Sequence, residues 1–393
     1  MKRFIALLLA ISLTLTACAG SAAAPSASQS GPAPAGAPKP VPQPEPEQQP
    51  EPEPEPVFQW ETDDPEHHRM DPEVLVRLHE ALASSNVYAM VTAKDGVIID
   101  EYYREGRDES SLCALHSCSK SFTSALLGIA IEEGYIGGVD DRLSRYLPQV
   151  AELEGVKSEL TLRHLLTHTS GLEWYEWGGG YSNWSEFRSA ENWVDYILGR
   201  QLTAQPGQYF NYSTGNTHLL AAAIEAATGK GLLAYGREVL FDPLGMESIE
   251  WGTDPQGVAD GGNGVAVTAR DAARFGQLML QGGEWQGRQL VPADWVAQST
   301  SVQNPGPGGS TGAYGYQWWV RPYSTNAYGS YAAPHGEASY DTYYAFGAWG
   351  QFIFVVPELA LVTVIASSGP QGSYAPRPFF TDYVLAAYLG EEG

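Results

Sequence analysis

The 393-residue sequence predicts an α+β fold, in which a mostly antiparallel sheet is backed by helices from both ends of the chain and interrupted by a helical lobe. Three observations carry that expectation: an early β-hairpin, a helix- and loop-rich middle over about 113–264, and strand signals that return after about residue 310. Asp71-Pro72-Glu73 reads as a helix N-cap with proline in the first turn, and Val74, Leu75, Leu78 and Leu82 follow at helical spacing. Residues 87–92 and 97–103 form the hairpin, joined through Asp95-Gly96. The later strands fall at 314–320, 342–346, 352–356 and 361–366, and an apolar helix over 379–389 closes the chain. No internal repeat is visible.

Composition divides the chain. Twelve of the 27 prolines fall in residues 1–56, which hold a single aromatic, Phe4. Lys2 and Arg3 precede an apolar run, 4–15, too short to span a bilayer but suited to a secretory leader. It ends in Leu15-Thr16-Ala17-Cys18, which resembles the bacterial lipobox. The expectation is a lipoprotein signal peptide over 1–18 with Cys18 lipidated, an ordinary signal peptide being the alternative. Lipid would anchor the protein to a bacterial membrane outside the cytoplasm, with no other membrane contact. Residues 19–56, ending in Glu-Pro repeats, read as a disordered tether that reaches on the order of 100 Å when extended. Residues 57–393 remain as one domain, long enough for a sizeable core. The formal charge is −24 and the sequence pI about 4.6. Such acidity argues against a nucleic-acid partner, which wants a basic face. It also favours a neutral or cationic substrate over an anionic one.

The chemistry points to Ser117. In His116-Ser117-Cys118-Ser119-Lys120, a spacing of three puts Lys120 one helical turn from Ser117 and on the same face, so that its amine can reach the hydroxyl. The run that follows, with Ala125, Leu126, Ile129 and Ala130, is apolar on most faces, so Lys120 is not a solvated surface charge. A desolvated lysine has a lowered pKa and can accept the serine proton. Free N–H groups at the helix start can receive a carbonyl oxygen as it gains charge.

Five blocks extend that motif: HSCSKSFTSALLGIAIEEGYI (116–136), LTLRHLLTHTSGLEW (160–174), FNYSTGNTHLLAAAIEAATGK (210–230), GNGVAVTARDAARFGQLMLQGGEW (262–285) and GAWGQFIFVVPELALVTVIAS (347–367). In this order they resemble the serine β-lactamase-related superfamily, and more narrowly its class C-like hydrolases: carboxylesterases, D,D-peptidases and aminohexanoate-dimer hydrolases. The resemblance implies a β-lactamase/D,D-peptidase-like fold, Ser117 as the acylated nucleophile, Lys120 as its proton partner and Tyr212 as a tyrosinate or phenol that relays the proton. Thr214 stands where the family's Tyr-x-Asn motif has Asn, and Asn216 is the candidate substitute. The family's Lys/His-Thr/Ser-Gly element is replaced by Gly347-Ala348-Trp349-Gly350-Gln351, similar to the Gly-x-x-Gly-Gln of the amidase and esterase branch. That variant implies an oxyanion hole from the backbone N–H groups of Ser117 and Ala348, and no cationic partner for a β-lactam carboxylate. Trp174, Tyr175, Asn216 and Trp349 are the expected pocket residues.

Other residues call for plainer readings. His164 and His168 lack a third ligand and are expected to pack and cap turns, and Ser170 is a turn residue. No metal or organic cofactor is implied. Cys113 and Cys118 could bridge in a secreted protein, but Cys118 opens a buried helix, which favours free thiols. The aromatics Trp174, Tyr175, Trp177, Tyr181 and Trp184 around Gly178–Gly180 read either as a lid or as lobe packing. The functional expectation is a serine hydrolase that cleaves an ester or amide bond of a small molecule or peptide through an acyl-enzyme. A β-lactamase or D,D-peptidase is the nearest alternative, and a non-catalytic penicillin-binding-like receptor the alternative of another class.

Overall fold

The hairpin turns where the sequence places it, because Asp95 and Gly96 both take positive φ, 54° and 87°, the turn that suits the twist of paired strands. This computed structural model describes residues 58–176, 182–369 and 372–390. The leader, Cys18 and the tether lie outside the described residues, as do Trp177, Gly178, Gly179, Gly180 and Tyr181 of the aromatic loop.

Helix α1, Pro72–Ala83, is capped by Asp71, whose side chain accepts from the Glu73 N–H at 2.8 Å. The hairpin strands are β1, Val87–Lys94, and β2, Val97–Tyr103. The other strands of the main sheet come from the last third of the chain: β3 Asn304–Gly308, β4 Gly312–Tyr314, β5 Trp319–Ser324, β6 Ser339–Gly347, β7 Gln351–Val356 and β8 Leu361–Ser367. Their spatial order is β2-β1-β8-β7-β6-β5-β4-β3, antiparallel throughout. The sheet thus closes the two ends of the sequence onto each other across the β1–β8 pair, and everything between the hairpin and β3 lies outside it.

Both faces of the sheet are buried, and β7 shows how. Phe352, Phe354 and Val356 point to one core, with α1 and the C-terminal segment, while Ile353 and Val355 point to the other, with the helical lobe. Phe354 stacks on Phe380 with ring centroids 4.0 Å apart. Burying each such side chain contributes about 1.5–3 kcal/mol. On the lobe face lie helix α2, Ser119–Glu132, helix α3, Thr214–Thr228, and helix α4, Ala269–Leu280. From Ser119 to Ala130 every residue of α2 is buried. Three of its buried hydroxyls find backbone partners: Ser119 donates to His116 O at 2.6 Å, and Ser121 to Gln317 O and Thr123 to Gly261 O, both at 2.8 Å.

Two expected elements differ. The single strand at 314–320 is split into β4 and β5 by a tight loop, closed by Gly315 N donating to Trp318 O at 2.8 Å. Gln317 takes φ 66° within that loop, so the backbone turns back where an alternating apolar pattern runs on. The closing helix is wide over Phe379–Val384 and tight over Leu385–Ala387, ending before residue 389 because Tyr388 bridges to Met70. Cys113 and Cys118 are free, buried thiols. Among the described residues no helix is long and apolar enough to cross a membrane.

Helix α2 holds its position partly because Gly128 admits Trp295: a Cβ there would lie 2.3 Å from the indole Cγ. Gly128→Val should therefore cost about 1–3 kcal/mol through overpacking, read as a lower urea midpoint. An unchanged midpoint would mean that α2 is free to shift.

Candidate active site

A short helical turn, His116–Cys118, leads into α2 and sets Ser117 at its mouth, half-buried, while Lys120 one turn on is buried. Lys120 Nζ lies 2.9 Å from Ser117 Oγ, 3.0 Å from Thr214 Oγ1 and 2.9 Å from Gly262 O. Gly262 O only accepts, and the Thr214 hydroxyl spends its proton on Glu176, at 2.5 Å. A neutral Lys120 must then point its two hydrogens at those oxygens, which leaves its lone pair aimed at Ser117. Burial pulls the Lys120 pKa down to about 8, against the opposing charges of Glu176 and Asp260. The ring of Tyr212 lies 4.9 Å from Nζ, and its hydroxyl is within hydrogen-bonding reach of Ser117. Burial and then Tyr314 and Glu176 push the Tyr212 pKa well up, so the residue is a phenol and not a tyrosinate. His168, whose pKa burial drives well down, packs neutral against it at 4.6 Å.

Ser117 opens onto a cavity of about 570 Å³, walled by the aromatics Trp184, Phe346, Trp349 and Tyr374 with Glu176 and Asn263. Ala348 lines it as well. Gly347 brings the end of β6 against the Ser117 turn: a Cβ there would sit 2.3 Å from Leu115 O and 3.1 Å from Ser117 N, so only glycine fits. Among the described residues neither the Ser117 nor the Ala348 N–H meets an acceptor. Gln351 secures the turn between them, donating to Ala348 O at 3.2 Å and Ser367 O at 2.7 Å and accepting from Ser367 N at 3.2 Å. His116 and Trp349 both take positive φ, 48° and 64°, and their rings meet edge to face at 4.8 Å. Such backbone costs about 1–3 kcal/mol per residue and persists only where the surroundings enforce it.

Together these groups can take a proton from a serine hydroxyl and receive negative charge on a carbonyl oxygen. A family model described as Beta-lactamase matches residues 74–384. The chain belongs to this family. It is 38% identical over 141 residues to penicillin-binding protein 4* of Bacillus subtilis, a match covering 35% of this chain and 30% of that protein's length. It is 26% identical over 266 residues to 6-aminohexanoate-dimer hydrolase of Paenarthrobacter ureafaciens, covering 63% of this chain and 67% of that one. Among solved structures, a Bacillus anthracis protein provisionally named as a 6-aminohexanoate-dimer hydrolase superposes with a TM-score of 0.64 at 26% identity, over 78% of this chain and 80% of that one. The protein is thus a hydrolase of the β-lactamase and penicillin-binding superfamily.

Within this β-lactamase-family site, Ser117, Lys120, Tyr212, Ala348 and Trp349 come together. Three expected pocket residues do not line the cavity. Asn216 lies two residues past Thr214, roughly 200° around α3, so it faces into the lobe and accepts from Ser170 Oγ at 2.8 Å. The Trp174 ring is buried against Gly215 and Phe187, and its Nε1 donates to Glu176. Tyr175 points outward toward Glu173. Trp184, the far end of the aromatic loop, does reach the cavity. His164 caps the helix Leu162–Leu166, and His168 bonds the Tyr314 hydroxyl at 3.1 Å, so both act in packing and turns. Glu176, Asn263, Phe346, Tyr374 and the role of Gln351 were not anticipated. Gln351 had a signal in the Gly-x-x-Gly-Gln pattern, and Glu176 had none beyond being an acid among aromatics.

Removing the Gln351 amide leaves buried backbone groups unpaired at about 1–3 kcal/mol and releases the Ala348 turn. Gln351→Ala should slow fluorophosphonate labelling of Ser117 by about tenfold or more, on the scale of a lost oxyanion donor. Labelling at the wild-type rate would show that the turn is held by other means.

Proposed function

We propose that the protein is a serine hydrolase that cleaves an ester or amide bond through an acyl-enzyme on Ser117. The observation that carries this reading is the 2.9 Å contact between Ser117 Oγ and the buried Lys120 amine at the mouth of an aromatic cavity. Neutral Lys120 takes the Ser117 proton as Oγ attacks the carbonyl carbon. The tetrahedral oxyanion is received by the N–H groups of Ser117 and Ala348. The Tyr212 phenol donates its proton to the departing alkoxide or amine and is reprotonated by the Lys120 ammonium, which restores the neutral amine. Water then enters where the leaving group stood, gives a proton back along the same path and frees the carboxylic acid and Ser117.

The cavity wall favours an uncharged acyl group. Among its described lining residues there is no lysine or arginine, and burial and the nearby Lys120 depress the pKa of His116. This supports the ester or amide reading over a β-lactam whose carboxylate needs a cation. The second reading, a D,D-peptidase or β-lactamase, is favoured by the similarity to penicillin-binding protein 4*. Nitrocefin turnover that vanishes in Ser117→Ala would promote it. Secretion and lipidation at Cys18 belong to the same proposal: Cys18→Ala should abolish incorporation of labelled palmitate into the protein in cells, and palmitate incorporation that persists would refute the anchor.

A fluorophosphonate should label Ser117 of the wild-type chain, and Ser117→Ala should take no label. The labelling rate should rise with pH and level off above about 8, where Lys120 loses its proton. The direction follows because the deprotonated amine is the base, so acid removes activity. No adduct on Ser117 under conditions that label a control hydrolase would sink the reading.

A further inference from the structure

We infer that Glu176, acting through the Thr214 hydroxyl, is a positioning residue that stabilises the Lys120 ammonium formed when Ser117 is acylated. The inference rests on the proposed Ser117–Lys120 chemistry and adds a third member to it. Glu176 Oε1 accepts from Thr214 Oγ1 at 2.5 Å, and Thr214 Oγ1 accepts from Lys120 Nζ at 3.0 Å. Its other oxygen accepts from the Thr214 N–H at 2.9 Å and from Trp174 Nε1, so the carboxylate is held on two sides. That N–H belongs to the first turn of α3, where a negative charge is favoured. Among the described residues Glu176 forms no ion pair, whereas Asp260, the other acid near Lys120, is paired with Arg188 at 2.7 Å. The charge of Glu176 therefore acts on Lys120, one hydroxyl away, and is not spent on a cation of its own.

The step balances without a further proton transfer. The Ser117 proton moves to Nζ as the Oγ–carbon bond forms. The resulting ammonium donates to Thr214 Oγ1, Gly262 O and the leaving-group side, while Thr214 keeps its proton and donates it to Glu176 as a hydrogen bond. Glu176 stays ionised and opposes positive charge at one remove, in the way an acid orients and supports a basic partner in other nucleophile triads. Thr214 occupies the third position of the Tyr-x-Asn pattern, and a threonine is too short to carry the polar amide of an asparagine. Glu176 reaches in from a separate loop to supply the missing polarity behind it.

Several groups face Lys120, and the pH dependence must be read against all of them. From its own turn come His116 and Cys118, from the 168 turn His168 with the Tyr314 hydroxyl of β4 bonded behind it, from the start of α3 Tyr212, and from the 260–263 turn Asp260 with Arg188 behind it. Burial depresses the two histidines and raises the two phenols and the Cys118 thiol, which leaves them uncharged around neutrality. Of the remaining acids, Glu176 opposes the fall in the Lys120 pKa most strongly.

The test is the rate of fluorophosphonate labelling of the full chain across pH 6 to 10, with the Lys120 titration followed in parallel by nitrogen-15 NMR. Glu176→Gln keeps the shape of the side chain and removes its charge. It should lower the plateau rate by about tenfold, a fraction of the 10²–10⁴ that acid–base groups supply, and move both the kinetic limb and the NMR titration to lower pH by roughly one unit. Thr214→Val should reproduce the plateau loss and Thr214→Ser should rescue it, which keeps the inference testable if the Gln variant is poorly folded. A slower plateau with both titrations unmoved would make Glu176 a helix cap only and overturn the inference. A wild-type Ser117 that takes no label at any pH overturns the hydrolase reading itself, and this inference with it.

Discussion

Everything at this site follows from burying one amine beside one hydroxyl. An ammonium taken out of water costs several kcal/mol even after the protein relaxes around it. Lys120 is nonetheless buried, with three oxygens at 2.9–3.0 Å and an aromatic ring at 4.9 Å. They come from three parts of the chain, the Ser117 turn, the start of α3 and the turn at Gly262, which explains the shape of the lobe. Helix α3 must start beside α2 to present Thr214 and Tyr212, and the turn carrying Gly262 must close over both. Glycine is required in that turn: a Cβ on Gly262 would lie 2.7 Å from Thr214 Cγ2, and one on Gly261 2.7 Å from Ala221 Cβ. Thr123, donating from α2 to Gly261 O, ties the turn to the helix that bears the lysine.

The sheet contributes the other half. Its strand β6 ends against the Ser117 turn at Gly347, and the backbone then passes through Ala348 and a positive-φ Trp349 before β7 begins. The strain at Trp349 is matched by that at His116 across the cavity, and their rings are in contact. What holds Trp349 in place is polar: Ser373 accepts its N–H at 3.0 Å, Ser367 donates to its carbonyl, and Gln351 fixes the carbonyl before it. The pattern Gly-x-x-Gly-Gln therefore has a structural content. The first glycine admits the serine turn, the second takes φ 89°, and the glutamine replaces with an amide the hydrogen bonds that the turn gives up.

Much of this was legible in the sequence because it depends on short-range spacing. Ser117 and Lys120 are one turn apart on a helix whose remaining residues are too apolar to be exposed, and Asp95-Gly96 names its own turn. The chain order of strands and helices was enough for the sheet with an inserted lobe. What was not legible depends on direction. Asn216 looked like a substitute for the missing Asn, but a helix rotates roughly 100° per residue, and two residues carry it to the far face. Trp174 and Tyr175 adjoin Glu176 in sequence, yet one is buried under the acid and the other points outward. Glu176 itself follows no period, and its place opposite Thr214 arises only from packing of the loop onto α3.

The overall acidity also needs a different weight at this distance. A formal charge of −24 would hold a lysine protonated if its field reached the site. At physiological ionic strength exposed charges are screened beyond about 8 Å, so most of the surface acids contribute little there. Burial lowers the Lys120 pKa, and the acids that push back are the close ones, Glu176 and Asp260. Asp260 is itself paired with Arg188 at 2.7 Å, so much of its charge is met there. The working pKa of the amine is thus set by a contest between its desolvation and two close carboxylates, of which Glu176, one hydroxyl away, opposes the fall most. An acidic protein can run a lysine-based site because only the close carboxylates count, and the stronger of them is placed where it supports the ammonium without touching it.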